Sequence, residues 1–258
     1  MRSRMKPFRL ATLAAVAAAV LAAQSGELKL DDIVRKSIEA QGGLEKMKAI
    51  KTLKLTGKMI VGGGQIEAPL TSYMKRPNRS RTEISLQGQL IVEAFDGMTK
   101  WSVSPLSGGK DPQKASEEDT KAAADDADLI DGPLVNYKDK GSTVELLGKE
   151  DVGGSMAYKV KINAKSGRVS TVFLDAKSFL AVKVVSKLSQ AGQEFEAESL
   201  PANYKPVEGV MIAFSNQMKI NQQIGMEIQF DKIEANVPVD DAMFVMPVVK
   251  KADPPKTQ

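Results

Sequence analysis

Short runs of alternating apolar and polar residues, each ended by glycine or proline, recur along most of the chain. In the clearest run, residues 156–163, the apolar residues Met156, Tyr158, Val160 and Ile162 fall on every second position. A period of two is typical of a strand with one buried face, and glycine pairs mark the turns between strands. The pattern predicts about eleven or twelve antiparallel strands in simple order. These strands are expected at residues 53–61, 70–75, 80–86, 90–95, 100–103, 144–149, 156–163, 169–175, 180–188, 194–200, 210–220 and 224–233.

Residues 28–53 depart from this alternation and predict an N-terminal helix. Asp31 and Asp32 suit the cap and first turn of a helix, and the apolar residues that follow them recur at helical spacing. Gly42 and Gly43 interrupt the pattern, so we expect a bend there and a second short helical turn to about residue 49.

A second departure lies in the middle of the chain. Residues 107–131 contain few large apolar residues, and residues 116–127 have helix propensity with only a weak apolar stripe. We expect a loosely attached helix followed by a short apolar segment, inserted between the two halves of the sheet. A plain solvated connection is the alternative interpretation. The apolar residues next to this helix are Leu129, Ile130, Leu134 and Val135.

The fold class predicted from these elements is mainly β with some α. A meander of so many strands is expected to curve strongly, which favours an unclosed β-barrel. Glycines within strands, such as Gly57 and Gly148, would help the curvature. The chain shows no convincing domain boundary, so residues 24–248 are expected to form one domain. The charged, proline-containing residues 249–258 are expected to be disordered.

The first 23 residues have the pattern of a secretory signal peptide. A basic start precedes residues 10–23, which are all Ala, Val, Leu or Thr. As a helix this run would rise only about 21 Å, less than the roughly 30 Å hydrocarbon core of a bilayer. We therefore expect an exported, soluble, periplasmic protein rather than one held by a transmembrane anchor. The sequence is compatible with cleavage after Ala22, after Ala23 or after Ser25. No cysteine is present to carry a lipid anchor.

The apparent basic character of the chain comes from this leader. The whole chain has 36 basic and 32 acidic residues, and the leader holds four basic residues and no acidic ones. A chain without the leader is therefore neutral. Nucleic-acid binding needs a basic surface, so no nucleic-acid partner is expected.

The absence of histidine and cysteine limits the chemistry of the chain. Without them, Ser-His-Asp and Cys-His nucleophilic systems and the usual zinc sites cannot form. A catalytic site made only of carboxylates is still possible, but most acidic residues lie in solvated runs such as residues 117–119 and 125–128. No metal, phosphate or nucleotide motif is present. We expect no cofactor, no metal and no enzymatic activity.

An apolar cavity is the expected feature of the concave face, because the thinly apolar midchain helix would fill it poorly. The chain has twelve methionines, and only Met1 and Met5 of these lie in the leader. Methionine is flexible and polarizable, so it adapts to ligands of variable shape. Plain core packing by the same side chains is the alternative. The candidate cavity residues are Leu55, Met59, Leu90, Val92, Trp101, Met156, Tyr158, Val160, Met218 and Met226.

Several motifs together resemble a known superfamily. Residues 75–78 read Lys-Arg-Pro-Asn at a strand end, residues 90–92 read Leu-Ile-Val, and residues 96–101 hold an Asp-Gly turn before the only tryptophan. Residues 244–247, Phe-Val-Met-Pro, lie near the C-terminus. This order resembles the LolA-type outer-membrane lipoprotein carriers, whose superfamily includes LolB and the lipoprotein-like domain of RseB sensors.

The resemblance implies an unclosed barrel whose helical lid covers a cavity for acyl chains. It implies that an arginine of the Lys-Arg-Pro segment holds the lid shut, which by position is Arg76; an exposed edge charge is the alternative for this residue. The candidate lid residues are Leu129, Ile130, Leu134 and Val135. The implied function is that of a monomeric periplasmic carrier that shuttles lipoprotein acyl chains or another lipid toward the outer membrane, with inner- and outer-membrane transport proteins as its partners.

Two other functions stay open at this point. An RseB-like sensor or scaffold would use the same fold to bind a protein partner without catalysis. A hydrolase using converging carboxylates is a third possibility. The identity of the cargo and the face of each strand that lines the cavity are also open, because a shift of one residue in strand register exchanges the two faces.

Overall fold

The computed structural model describes residues 28–107, 109–126, 131–190 and 193–248. The predicted signal peptide, the predicted disordered tail and two candidate lid residues, Leu129 and Ile130, lie outside these ranges. Within these ranges there are three α-helices: α1 (Leu30–Ala40), α2 (Leu44–Ala49) and α3 (Glu117–Asp126). The strands are β1 (Thr52–Val61), β2 (Ile66–Lys75), β3 (Arg79–Leu86), β4 (Gln89–Phe95), β5 (Lys100–Ser104), β6 (Gly109–Lys114), β7 (Thr143–Val152), β8 (Ser155–Asn163), β9 (Val169–Asp175), β10 (Ala181–Gln190), β11 (Gln193–Val207), β12 (Val210–Ile220) and β13 (Gln223–Ala235).

All thirteen strands belong to one antiparallel sheet. Its order is β6-β5-β4-β3-β2-β1-β13-β12-β11-β10-β9-β8-β7, so two consecutive meanders meet where β1 pairs with β13. The strands at the two edges, β6 and β7, are neighbours in sequence but do not pair in the part of the chain that the structure describes. The prediction of a mainly β, unclosed antiparallel sheet with one N-terminal and one midchain helical region is confirmed.

The sheet has thirteen strands, one more than the twelve ranges predicted above, because β6 lies in a stretch for which the sequence predicts a loop. Glycines and Pro112 in this stretch suggested a break in structure. β6 is an edge strand that pairs irregularly with β5, and proline is tolerated at an edge because its missing N–H faces no partner.

β11 is also longer than predicted, and it contains two prolines. β10 pairs only with residues 193–199 of β11, whereas β12 pairs with residues 197–207. Pro201 and Pro206 therefore lie where one side of β11 has no neighbouring strand. A backbone N–H that faces this side has no strand to bond with, so proline is tolerated there better than in a strand paired on both sides.

The junction between β1 and β13, called here the seam, joins the two halves of the sheet. Leu53 pairs with Ala235 at one end of it, and the register shifts between Thr56 and Gly57. A Cβ atom on Gly57 would lie 2.0 Å from the backbone oxygen of Gln229, so only glycine fits this close approach.

Strand alternation and register define two faces of the sheet. The inner face is the one covered by α1 and α2 and by residues 131–142, which are called here the turn segment. One cluster on this face combines α2 with the seam strands, and its buried members include Met47, Ile50, Leu53, Leu55, Met74, Phe214 and Ile233. A second cluster combines α1 with β8 and β9, and its buried members include Ile33, Val34, Tyr158, Val160, Ile162, Val172 and Leu174.

The connection between α1 and α2 is fixed against the turn that joins β11 to β12. Gly42 has a φ of 116°, and a Cβ atom there would lie 2.2 Å from the backbone oxygen of Gly209. The backbone N–H of Met211 donates to the carbonyl of Gln41 at 2.8 Å. This contact places both helices on the inner face.

The outer face of β2 to β5 is covered by the C-terminal residues 238–248. Trp101 Nε1 donates to the carbonyl of Phe244 at 2.7 Å, and both side chains are buried. Arg81 donates to the carbonyl of Met243 at 2.8 Å. Asp241 receives ion pairs from Lys75 at 2.7 Å and Arg79 at 2.6 Å.

Candidate functional site

Arg76 lies immediately after β2 and holds the end of α2. Its backbone N–H donates to the carbonyl of Lys51 at 2.9 Å. Its Nε donates to the carbonyl of Ile50 at 2.7 Å, and Nη2 donates to the carbonyl of Met47 at 2.9 Å. Carbonyls at the end of a helix lack partners within the helix and carry partial negative charge, so a guanidinium is well suited to satisfy them.

The same guanidinium binds Asp131, the first residue of the turn segment. Nη1 donates to Asp131 Oδ2 at 2.7 Å, and Nη2 donates to Oδ1, which makes the pair bidentate. The two side chains are only 20% and 13% exposed. Arg76 therefore joins β2, α2 and the turn segment through one planar group, the geometry in which arginine exceeds lysine.

The ion pair lowers the pKa of Asp131. Hydrogen bonds from Arg76 hold the pKa of this carboxyl below its ordinary value of 3.8, against the opposing effect of burial. Charges on Arg76, Lys140 and Lys48 add to the lowering. The ionised carboxylate is therefore the form that the folded protein favours.

This shift predicts a stability that depends on pH. Because the folded pKa of Asp131 is lowered, its contribution is complete above about pH 4 and is lost as the pH falls through the folded pKa. Urea unfolding of the wild type and of Asp131→Asn, followed from about pH 7 to pH 2, should give stabilities that differ most at neutral pH and converge in acid. A constant difference at every pH would contradict this assignment.

The turn segment inserts two apolar side chains between the helices and the sheet. Val135 is buried in the cluster of α2 and the seam, and Leu134 is buried in the cluster of α1, β8 and β9. The segment is held in turns by backbone bonds such as Ser142 N–H to the Tyr137 carbonyl at 2.9 Å. Of the candidate lid residues, these two therefore bridge both inner clusters, and they come from turns rather than from α3.

α3 itself contacts the sheet lightly. Ala123 packs against Phe95 of β4, and acidic residues fill the first turn of the helix. This agrees with the expectation of a midchain helix with a thin apolar stripe.

Seven of the ten candidate cavity residues lie on the inner face. Strand register gives this set as Leu55, Met59, Met156, Tyr158, Val160, Met218 and Met226. Leu55, Tyr158 and Val160 are buried beneath the helices and the turn segment, whereas Met156 is exposed at the far end of β8.

The three other methionines of this set, Met59, Met218 and Met226, form a half-buried group away from α1 and α2. Met218 pairs with Met226, Met226 pairs with Val61, and Met59 pairs with Ile228 across three neighbouring strands. We call these five residues the methionine patch. All five side chains are intermediate in exposure, so the patch is apolar surface that is only partly covered.

The remaining three candidates lie on the outer face. The register of β3 and β4 puts Leu90 and Val92 on the side opposite Leu55, and Trp101 pairs beside them. Val92 and Trp101 are buried with Ala94 against the C-terminal residues, and Leu90 is exposed. The structure therefore does not bring these three together with the other seven. The reason is that β4 has buried apolar residues on both faces. The C-terminal residues cover its outer face, so apolar residues are buried there as well.

Two features are absent from the described residues. No group of three or more acidic side chains is placed to hold a metal ion within the described ranges. Among the same residues, no helix has the length and apolar character needed to cross a membrane.

The fold is LolA-like, as comparison with solved structures shows. A LolA superfamily protein from Nitrosomonas europaea matches with a TM-score of 0.54 and 14% identity, over 85% of this chain and 98% of that one. A domain described as an outer membrane lipoprotein-sorting protein from Vibrio parahaemolyticus matches with a TM-score of 0.55 and 13% identity, over 83% and 94%. A DUF1329 family protein from Desulfovibrio piger matches with a TM-score of 0.56 and 12% identity, over 83% and 96%. No family model and no curated protein matches the sequence.

Proposed function

We propose that the protein is a periplasmic carrier that binds the acyl chains of a lipoprotein, or of another amphiphilic lipid, against the inner face of its sheet. The fold that it shares with lipoprotein-sorting proteins supports this proposal. The observation that carries it is the turn segment, which covers the inner face and is hydrogen-bonded to α2 through the side chain of Arg76.

The turn segment occupies space that an acyl chain would fill. Leu134 and Val135 contribute two aliphatic side chains to the inner clusters, and an alkyl chain is a chemical substitute for both. Burial of each CH₂ contributes about 0.8 kcal/mol, so a chain of ordinary lipid length offsets the loss of a few hydrogen bonds. Displacement of the segment by cargo is therefore energetically feasible.

The methionine patch extends the same apolar surface beyond the turn segment. Its side chains are already partly accessible, so a lipid would find apolar contact there before the segment moves. Methionine side chains adjust to chains of different length and saturation. Binding and release need no chemical step, which suits a protein that has neither histidine nor cysteine.

The test is direct identification of bound lipid. The full chain is expressed in a Gram-negative host, purified without detergent and extracted with organic solvent, and the extract is analysed by mass spectrometry. We expect lipid or acylated peptide in roughly equimolar amount. Met218→Glu places a charge in the methionine patch and should reduce the bound lipid by about tenfold or more.

Met98→Glu is the matched control, because Met98 is highly exposed in the turn between β4 and β5, away from the patch. It should retain lipid at the wild-type level. An extract without lipid, both before and after incubation with native membranes, would contradict the carrier function and favour a scaffold that binds a protein partner. Equal lipid in Met218→Glu and the wild type would exclude the methionine patch as the binding surface.

A further inference from the structure

Four turns between strands share an unusual composition. Residues 61–66, 85–92, 102–109 and 220–226 contain no Asp, Glu, Lys or Arg, although charged residues make up 26% of the chain. These stretches hold the turns from β1 to β2, β3 to β4, β5 to β6 and β12 to β13. Their polar residues are limited to serine, asparagine and glutamine.

The antiparallel order brings these turns to one end of the sheet. Because successive strands reverse direction, every second turn of a meander lies at the same end, and strands are spaced about 4.8 Å apart. β1 and β13 are adjacent, so the turns from β1 to β2 and from β12 to β13 are neighbours. The four turns are consecutive along this end of the sheet, from β6 to β12, and we call them the uncharged rim. Farther along the same end, the turn from β8 to β9 carries Lys165 and Arg168. The opposite end has charged turns, including Arg76 and Arg79 between β2 and β3, Lys177 after β9 and Glu208 after β11.

The uncharged rim also exposes large aliphatic side chains. These side chains are 41% to 55% exposed and come from all four turns: Ile66, Leu90, Leu106, Ile220 and Ile224. They make up half of the exposed large hydrophobic residues in the described ranges. Exposed apolar groups concentrated at one end, without charges among them, are typical of a surface that contacts an apolar partner.

We propose that the uncharged rim docks on the surface of a zwitterionic lipid bilayer. A charged side chain is costly at membrane depth, whereas isoleucine and leucine gain from burial there. Glycine, serine, asparagine and glutamine in the turns match the polarity of the headgroup region. Because the rim carries no charge, docking depends on apolar contact rather than on attraction to anionic lipid, and it is insensitive to salt.

The rim is continuous with the methionine patch. Val61, a member of the patch, pairs with Ile66 on one side and with Met226 on the other. Docking would therefore place the patch directly above the bilayer. This inference goes beyond the proposed function, since it assigns the end of the molecule that meets the membrane and holds for any cargo.

The test is flotation of the full chain with phosphatidylcholine vesicles. The wild type is expected to float with the vesicles equally at low and at high salt. The double substitution Ile66→Lys and Ile224→Lys should reduce the bound fraction by about tenfold or more, since it removes two aliphatic contacts and adds two charges. Leu90→Lys with Leu106→Lys, on the other half of the rim, should act in the same direction. Met98→Lys, at the opposite end, should float like the wild type.

Circular dichroism melting curves establish that all these variants are folded, as expected for exposed positions. Failure of the wild type to float, or equal flotation of the rim variants, would overturn the proposal. Binding restricted to phosphatidylglycerol vesicles at low salt would replace it by an electrostatic contact. A dimer in sedimentation that the rim substitutions dissociate, without flotation, would assign the rim to a second copy of this chain. Lipid that co-purifies with a protein that does not float would leave the carrier function standing and remove only the docking surface.

Discussion

Replacement of Arg76 by leucine is expected to lower the free energy of unfolding by about 3 kcal/mol. The substitution removes the bonds to Ile50, Met47 and Asp131 and leaves a mostly buried carboxylate without its guanidinium partner. Loss of one member of a buried ion pair costs more than the pair contributes, because the remaining charge stays desolvated. Urea unfolding measures the loss of stability. Hydrogen exchange should show that the substitution accelerates the exchange of amide protons more in the turn segment than in β8 and β9.

A double-mutant cycle with Asp131→Asn separates the ion pair from the bonds to α2. If the two residues act as one unit, the double variant should be less destabilised than the sum of the single ones. Arg79→Leu is the matched control, since its partner Asp241 is exposed and surface pairs contribute about 1 kcal/mol or less. Equal destabilisation by the two leucine substitutions would contradict the importance assigned to Arg76.

The same substitution also tests the carrier proposal. The closed arrangement, with Leu134 and Val135 packed inside, competes with lipid for the inner face. Because Arg76→Leu weakens that arrangement, the variant is expected to retain more lipid than the wild type during purification without detergent. A lower lipid content in a folded Arg76→Leu protein would contradict the role of the turn segment as a competitor of the cargo.

Replacement of Trp101 by alanine is expected to lower the free energy of unfolding by about 4 kcal/mol. The indole is buried with Val92 and Ala94, and its N–H is bonded to the carbonyl of Phe244. Alanine leaves a large cavity and also releases the C-terminal residues from the outer face. Thermal and urea unfolding measure the stability, and limited proteolysis near Phe244 reports the detachment.

Trp101→Phe isolates the hydrogen bond from the packing. It keeps most of the aromatic volume but leaves the Phe244 carbonyl without its donor, so a smaller loss of about 1–2 kcal/mol is expected. Equal stability of the alanine and phenylalanine variants would show that the cavity contributes little. Because Trp101 lies on the outer face, Trp101→Phe should leave the amount of co-purified lipid unchanged.

The architecture was accessible from the sequence because alternation and glycine turns are local signals. Residues 169–175 were predicted as a strand, and β9 has those bounds; the predicted break at Gly42 and Gly43 is where α1 gives way to α2. The strand that was missed, β6, and the one that was shortened most, β11, contain proline. Proline is a local signal against strands, yet its effect depends on whether a neighbouring strand is present on the N–H side, which only the assembled sheet determines.

The candidate site was accessible only in part. Arg76 was singled out from its motif, but its partner Asp131 was not, because this residue closes an acidic stretch in which nothing local distinguishes it. The assignment of Leu90, Val92 and Trp101 to the cavity assumed that apolar residues face inward. Residues 238–248 create a second buried surface on the outer face, and this contact between distant parts of the chain left no pattern within β4 itself.

The seam has a consequence for how the chain folds. Every other strand pair joins neighbours in sequence, but the partners Leu53 and Ala235 come from opposite ends of the described chain. Contacts of such long sequence separation carry the entropy of closing a long loop and slow the search for the native state. The two meanders can assemble from local hairpins as they emerge, whereas β1 keeps one side open until β13 has been synthesised. The close approach at Gly57 is thus formed late, and a defect there would trap two separate half-sheets with exposed edges.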